Sequence, residues 1–178
     1  MTDKTDLRAR MRVARLGFVP DRPVRVSGDF LARLRPGIVV ASYRPMRGEA
    51  DPAPLERVAI SARCVLALPW VSTPIEPMRF LAWTDGEPLE PGQFGLEQPP
   101  AHAPDLAPDI ILTPLLAFDR LGGRLGQGMG YYDRSFTLHA TSWRVGVAWS
   151  VQEAPRIPVD PWDVPLHAVA TEKEWITV

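Results

Sequence analysis

Apolar residues recur with the period of a helix in some parts of the chain and run together in others, and these changes predict the order of its elements. From residue 4 to residue 16, apolar residues return every three or four positions, which predicts an amphipathic helix. Ser27 is placed to cap a second, short helix that carries Phe30, Leu31 and Leu34 and ends at Pro36. The polar face of the first helix is strongly basic, with Lys4, Arg8, Arg12 and Arg15.

Short continuous apolar runs follow, and such runs predict strands that helices cover on both faces. Residues 38–43 form the first run, Asp51 and Pro52 then begin a helix that reaches about Arg63, and residues 65–68 form the next run. This β-α-β order implies parallel strands and a right-handed crossover, and therefore an α/β fold. The remaining pattern predicts a helix at 131–139 and strands at 78–83, 109–114, 143–149, 168–170 and 175–177.

Composition and charge exclude several classes of protein. A chain of 178 residues with 46% hydrophobic and 23% charged residues suits one globular domain, which we place at 1–178. Its 20 basic and 21 acidic residues give a net charge of −1, which favours neither nucleic acid nor an anionic membrane as a partner. No apolar run approaches the roughly 20 residues of a membrane span, so we expect a cytoplasmic location. Cys64 is the single cysteine, which excludes an intramolecular disulfide.

The most informative local feature is a glycine-rich run, since five of the 13 glycines lie between Gly122 and Gly130. Glycine permits positive φ and close approach to the backbone, so such a loop can turn several amide groups toward one anion. Arg124 adds a guanidinium suited to phosphate, and Asp133 adds a carboxylate suited to Mg²⁺. The predicted helix after the loop would favour an anion at its N-terminus. The alternative is a glycine-rich turn that binds nothing.

Two common phosphate loops do not fit this run. A Walker A loop needs a Gly-Lys pair, which the chain lacks, and a dinucleotide fingerprint belongs in the first β-α turn. A lysine must therefore come from elsewhere, and Lys4 with Arg8, four residues apart on one helical face, is a candidate; the alternative is a solvated basic helix. Asp163 is a candidate second metal ligand; the alternative is a carboxylate that caps a helix or lies on the surface. Glu49, after the first strand, is a candidate for binding a polar substrate group.

The residues around the glycine run resemble the signature of one family. Residues 114–120 (Pro-Leu-Leu-Ala-Phe-Asp-Arg) precede residues 123–133, Gly-Arg-Leu-Gly-x-Gly-x-Gly-Tyr-Tyr-Asp. This order and spacing resemble the 5-formyltetrahydrofolate cyclo-ligase family, whose members are also called 5,10-methenyltetrahydrofolate synthetases. The flanking matches cover almost the whole chain and include Lys4, Leu7, Arg8, Glu49, Leu68, Pro69, Met78, Phe80, Trp83, Gln152, Asp163, Thr171 and Glu172.

The resemblance implies a fold and a reaction. The fold would be a single three-layer α/β domain with a mainly parallel sheet between helices, like the ribose-phosphate isomerase and CoA-transferase group. The reaction would be the ATP- and Mg²⁺-dependent closure of 5-formyltetrahydrofolate to 5,10-methenyltetrahydrofolate, with release of ADP and phosphate. The formyl oxygen would attack the γ-phosphate, and N10 would close the ring as phosphate leaves, so that positioning and charge neutralisation suffice. We expect a monomer.

The resemblance also implies roles for individual residues. Arg124 would stabilise the transferring phosphoryl group, and Tyr131 would orient the formyl group or N10. Mg²⁺ would be held by Asp133 and Asp163. ATP would be bound by Lys4, Arg8, Arg124, Leu125, Gly126, Gln127, Gly128, Met129, Gly130, Tyr131 and Tyr132. The folate would be bound by Arg44, Glu49, Met78, Trp83, Gln127, Gly128, Met129, Gly130 and Tyr131.

The chain departs from the family pattern at two places. Family members often carry histidine before the late aspartate, whereas this chain has Trp162 before Asp163, a change that bears on the metal's surroundings and the nucleotide fit. The loop has Gln127 and Met129 where a basic residue is common, which would weaken phosphate binding. Two other readings stay open: a small-molecule kinase on a similar sheet, and a non-catalytic module that binds folate or nucleotide.

Overall fold

The computed structural model describes residues 3–178, apart from the side chain of Phe94. Within that part, four α-helices and two short 3₁₀ helices alternate with eleven strands. The α-helices are α1 (Lys4–Gly17), α2 (Gly28–Leu31), α3 (Ala53–Ser61) and α4 (Tyr131–Leu138), and the 3₁₀ helices are Gln93–Gly95 and Ser150–Gln152. The strands are β1 (Val39–Ala41), β2 (Val65–Trp70), β3 (Arg79–Ala82), β4 (Glu90–Pro91), β5 (Glu97–Gln98), β6 (Ile110–Pro114), β7 (Ala117–Phe118), β8 (Arg124–Leu125), β9 (Trp143–Val147), β10 (Ala168–Ala170) and β11 (Trp175–Thr177).

Seven of these strands form one sheet in the order β11-β10-β9-β6-β1-β2-β3. The five inner strands are parallel, and the two edge strands β3 and β11 are antiparallel to their neighbours. Val39 pairs with Val65 and Val40 pairs with Ile110, so β1 lies between β2 and β6. The predicted β-α-β unit is therefore confirmed: β1, α3 and β2 form it.

Helices cover both faces of the sheet. Successive side chains of a strand point to opposite faces, so neighbouring residues of β1 pack in different cores. Val40 belongs to a core with Phe30 of α2 and Leu55 of α3, and Ala41 belongs to a second core with Phe136 of α4. These two cores give three layers, which confirms the predicted α/β architecture. No helix in the described residues is long and apolar enough to cross a membrane.

Helix α1 packs apart from these two cores, in a small apolar cluster of its own. Leu7 and Met11 contact this cluster, whose other members are Ala117, Leu125, Ala154 and Ile157. Leu7, Met11 and the buried Arg15 follow one another at intervals of four residues and share one face of α1, and Lys4, Arg8 and Arg12 lie beside that face.

The predicted boundaries were too long at several elements. The second helix ends at Leu31, because the amides of Arg33 and Leu34 bond to carbonyls three residues back and tighten the chain into a turn. Its predicted cap is correct, since the Ser27 side chain accepts from the amide of Phe30. The strands predicted at 38–43 and 143–149 pair only over Val39–Ala41 and Trp143–Val147. The small hairpins β4-β5 and β7-β8 were not predicted.

Candidate active site

A cavity of about 790 Å³ opens at the carboxyl ends of the parallel strands, where ligands bind in open α/β sheets. Residues that follow β1, β2 and β6 form its floor, and the loop from β8 into α4 forms one wall. Its volume lies in the upper part of the usual range for ligand sites. The lining comprises Lys4, Arg8, Tyr43, Arg44, Met46, Glu49, Pro69, Val71, Met78, Leu96, Glu97, Pro114, Leu115, all residues from Arg124 to Arg134, Thr137, Asp160, Trp162 and Asp163.

Every residue predicted for the site lines this cavity except Trp83. Trp83 is buried, and the guanidinium carbon of Arg44 lies 4.6 Å from the centre of its ring. Its indole N–H donates to the carbonyl of Glu87. The predicted folate contact of Trp83 would therefore act through Arg44. Arg44 itself also pairs with the buried carboxylate of Glu56.

Helix α1 runs along the cavity and contacts it at successive turns. Lys4 bonds to Asp163, Arg8 Nε donates to the carbonyl of Gly126 at 3.0 Å, and the Arg12 guanidinium donates to Gln127. Further along the helix, Arg15 pairs with Glu49 at 3.3 Å. With a rise of 1.5 Å per residue, Lys4 and Arg15 are about 16 Å apart along α1. The cavity therefore has an Asp163 end near the first turn of α1 and a Glu49 end near its last turn, with the glycine loop between them.

The glycine run divides into two parts with different roles. Gly122 and Gly123 belong to the β7-β8 hairpin, whose turn is held by the buried Asp119 carboxylate through the amides of Leu121 and Gly123. In the second part, Gly128 and Gly130 have φ values of +108° and +67°.

The second part, residues 126–130, lines the cavity and leads into the N-terminus of α4. Among the described residues, no acceptor bonds to any of its five backbone amides. Unpaired amides beside a helix N-terminus are the arrangement that binds phosphate. The loop therefore has the donors for an anion and no internal partner for them.

Arg124 and Asp133 form an ion pair on the cavity wall, with Nη2 and Oδ1 at 2.5 Å. The Arg124 side chain is 6% exposed, and its guanidinium lies 4.8 Å from the ring centre of Phe136. Its buried Nε has no hydrogen-bond partner in the described part of the chain. A predicted phosphate ligand and a predicted metal ligand thus meet directly, and Arg124 keeps donor capacity beyond this pair.

Lys4 holds the acidic end of the cavity together. Its ammonium donates to Asp160 at 2.7 Å and to Asp163 at 2.5 Å, and Asp163 also accepts from the amide of Asp160. Burial lowers the pKa of Lys4, but the hydrogen bonds and charges of the two carboxylates outweigh it, so the pKa is raised and the lysine stays charged.

The donor set at this end suits Mg²⁺ only with help from a ligand. The described residues contain no group of three or more His, Cys, Asp and Glu side chains that could hold a metal. The amide of Val164 donates to Asp133, which brings the Asp163–Val164 peptide beside that carboxylate. Mg²⁺ commonly takes one or two carboxylates and completes its shell with phosphate oxygens and water, so Asp133 and Asp163 fit that pattern.

The opposite end of the cavity is formed by Glu49 and two phenols. Glu49 accepts from Arg15 and from the amide of Met46, and its side chain is 9% exposed. Burial, and then the charge of Glu49, raises the pKa of Tyr43 and of Tyr132 above the usual value, so both stay protonated. At this end a carboxylate held by Arg15 lies near two neutral phenols.

Several residues of the site were not predicted. Arg15 and Asp160 hold predicted residues in place, and Arg134 lies over the ring of Tyr131 and donates to the carbonyl of Met129. The basic face of α1 was a signal for Arg15. Leu96 and Glu97, at the start of the β5 strand, also line the cavity, and no sequence signal marked them.

Known proteins of one family are similar to this chain in sequence and in fold. The family model for the 5-formyltetrahydrofolate cyclo-ligase family matches residues 1–172. The chain belongs to this family. A curated cyclo-ligase of Escherichia coli K12 is 34% identical over 145 residues, which cover 76% of this chain and 79% of the relative. The Haemophilus influenzae cyclo-ligase is 37% identical over 100 residues, a stretch that spans about half of either protein, 51% in each case.

Solved structures of the cyclo-ligase family share the fold. The 5,10-methenyltetrahydrofolate synthetase of Aquifex aeolicus superposes with a TM-score of 0.74 at 29% identity, covering 98% of this chain and 92% of that one. The synthetase of Mycoplasma pneumoniae gives a TM-score of 0.67 at 22% identity, which supports the fold alone; it covers 94% of this chain and 98% of that one. The curated relatives are named as ligases of folate substrates.

Proposed function

We propose that this protein is an ATP- and Mg²⁺-dependent cyclo-ligase that converts 5-formyltetrahydrofolate to 5,10-methenyltetrahydrofolate. The observation that carries the proposal is the loop of residues 126–130, which lines the cavity between the Asp163 end and the Glu49 end and whose amides have no acceptor among the described residues. Such a loop suits a polyphosphate in the middle of the cavity. The two ends then accommodate different molecules, the nucleotide on one side and the folate on the other.

The phosphate chain would lie along α1 and the loop. Arg8, which lines the cavity beside Gly128, would contact phosphate together with the loop amides. Arg124 would turn its free donor capacity to the transferring phosphoryl group, where a fixed guanidinium stabilises developing charge. Asp133 and Asp163 would hold Mg²⁺, which when bound supplies neutralisation of phosphate charge.

The folate would lie at the Glu49 end. The Glu49 carboxylate accepts hydrogen bonds and therefore suits the N–H groups of a pterin ring. Arg44, Met78 and Tyr131 also line the cavity, and Tyr131 is the first residue of α4. From there Tyr131 would orient the formyl group or N10 for ring closure, a positioning effect of the kind that lowers barriers without a strong base.

An absorbance assay tests the proposed reaction. Protein mixed with MgATP and 5-formyltetrahydrofolate should develop the near-ultraviolet absorbance of the methenyl product, and omission of either substrate should abolish it. ATP consumption without folate would indicate a kinase instead. Ligand binding without the absorbance change would indicate a non-catalytic binding module.

The role of Arg124 has its own test. Arg124→Ala should lower turnover by about 100-fold or more, the loss expected for a preorganised donor to the transition state. Arg57→Ala, which removes an exposed arginine of α3 far from the lining, serves as the control and should keep wild-type turnover. Turnover of Arg124→Ala within a few-fold of wild type would remove Arg124 from this role.

The monomeric state expected from the sequence stays a prediction, which analytical ultracentrifugation can test. The cytoplasmic location expected from the sequence stays a prediction, which fractionation of cells that produce the protein can test.

A further inference from the structure

Trp162 is a large aromatic side chain with almost no contacts of its own. Its relative exposure is 68%, and it belongs to none of the apolar clusters of the described residues. In the described part of the chain it also has no partner ring and no cation over its face. Nevertheless it lines the cavity. An exposed indole has no packing role in the fold, so a ligand is the partner that would bury it.

A tight turn holds Trp162 at this position. The amide of Asp163 donates to the carbonyl of Asp160, and the amide of Asp160 donates to the Asp163 side chain. Lys4 bonds to both carboxylates and fixes the turn to α1. The backbone that carries the indole is therefore anchored, and a ring presented from an anchored turn loses little conformational freedom when it binds a ligand.

The order of the site along α1 decides which ligand part reaches Trp162. Asp163, the neighbour of Trp162, contacts the first turn of α1, whereas Glu49 contacts its last turn, about 16 Å away. The glycine loop lies between them, at Arg8 and Arg12. With the folate at the Glu49 end and the phosphates at the loop, the nucleoside extends toward the Asp163 end.

We propose that Trp162 is a nucleotide-binding residue whose indole stacks on the purine ring of ATP. This inference rests on the proposed function, and it adds the contact that selects a nucleoside triphosphate over a bare polyphosphate. Bases stack on aromatic side chains readily because every base presents a π-face. Trp162 would thus determine nucleotide affinity, while the loop, Arg8 and Arg124 contact the phosphates.

Calorimetric titration with two probes tests the contact. MgADP carries the base and magnesium tripolyphosphate lacks it. Trp162→Ala should bind MgADP about tenfold more weakly than wild type, Trp162→Phe should lie in between, and both should bind tripolyphosphate like wild type. Leu31→Ala removes an exposed apolar side chain on α2, outside the cavity lining, and should leave both affinities unchanged. In wild type, MgADP should also protect tryptophan fluorescence from iodide, and tripolyphosphate should not.

Three outcomes would overturn the inference. The first is equal MgADP affinity in wild type and Trp162→Ala, and the second is equal weakening for MgADP and tripolyphosphate, which would mean that Trp162 only supports the phosphate site. The third is no MgADP binding by wild type. Formation of the methenyl product by wild type is measured separately, so a failed stacking contact leaves the proposed reaction standing. Absent product with intact MgADP discrimination would reject the reaction and keep the contact.

Discussion

Arg15 and Glu49 form an ion pair that little solvent reaches, since their side chains are 7% and 9% exposed. Arg15 does not line the cavity, whereas Glu49 does, so the arginine lies behind the carboxylate and holds it toward the ligand. Arg12 holds Gln127 in the same way, and Lys4, which itself lines the cavity, bonds to Asp163. Residues with a predicted binding role are thus positioned by basic residues of α1.

Arg15→Gln tests this positioning role. Loss of one partner leaves a buried carboxylate unpaired, and we expect a loss of about 3 kcal/mol in the free energy of unfolding. Because Glu49 is then free to move, the KM for 5-formyltetrahydrofolate should rise much more than the KM for ATP. Denaturant unfolding and steady-state kinetics measure the two effects. Arg10→Gln changes an exposed arginine on the same helix and should alter neither, and equal rises in both KM values would contradict the role.

At the scale of elements, the glycine run serves two structures. The β7-β8 hairpin uses its first glycines for packing, since a Cβ on Gly122 would lie 2.7 Å from the carbonyl oxygen of Leu166. The cavity loop uses its later glycines, and a Cβ on Gly126 would meet its nearest atom at an ordinary 3.7 Å. One stretch of sequence therefore carries a folding requirement and a binding requirement side by side.

Alanine substitutions at Gly122 and at Gly126 should separate the folding requirement from the binding requirement. Gly122→Ala forces a side chain into positive φ (+83°) and into backbone, and it should lower the free energy of unfolding by about 2 kcal/mol or more. Gly126→Ala should change it by less than about 1 kcal/mol. Urea unfolding followed by circular dichroism compares the two variants. A Gly122→Ala protein as stable as Gly126→Ala would contradict this division of the run.

At the scale of the whole molecule, stability depends on two partly buried histidines, of which His167 lies beside cations. His167 accepts from the amide of Arg144 at 3.0 Å, and the Arg144 guanidinium lies 2.9 Å from its other ring nitrogen. Burial first, and then the charges of Arg144 and Arg33, lower the pKa of His167 below the usual histidine value of 6.5. Burial lowers the pKa of His139 as well.

These shifts predict that acid destabilises the protein near neutral pH. Below pH 6.5, His167 binds a proton more readily in the unfolded chain than in the folded protein. The contribution of His167 to the free energy of unfolding is therefore fully present above that pH and is lost as the pH falls toward the lowered pKa. Melting temperatures should therefore fall between about pH 7.5 and 5.5, and less steeply in His167→Gln. The exposed His102→Gln should keep the wild-type slope. Identical slopes in wild type and His167→Gln would rule out this cause.

Glu56 acts in the opposite direction. Burial raises the pKa of Glu56 despite the nearby Ser42 hydroxyl and the charge of Arg44, so its contribution to stability falls as pH rises through that raised pKa. Comparison of wild type with each histidine variant, rather than the wild-type curve alone, therefore isolates the effect of His167.

The predictable part of the fold and site was the part encoded by neighbours in sequence. Apolar runs identified all seven strands of the main sheet, and the Ser27 cap was correct. Errors fell at element ends, where turns such as the one after Leu31 compete with the regular pattern, and at hairpins of two-residue strands such as β7-β8, which are too short to show a period.

The α/β class, the family resemblance and a set of candidate site residues, all but Trp83 in the cavity lining, followed from the amino-acid sequence, because spacing and motif are local properties of the chain. Which of these candidate residues contact one another depended on the fold. Lys4 bonds to Asp160, 156 residues away, Arg15 reaches Glu49, and Trp83 lies beneath Arg44 rather than in the cavity. Such contacts depend on how α1 crosses the ends of the strands, and no local pattern specifies that crossing.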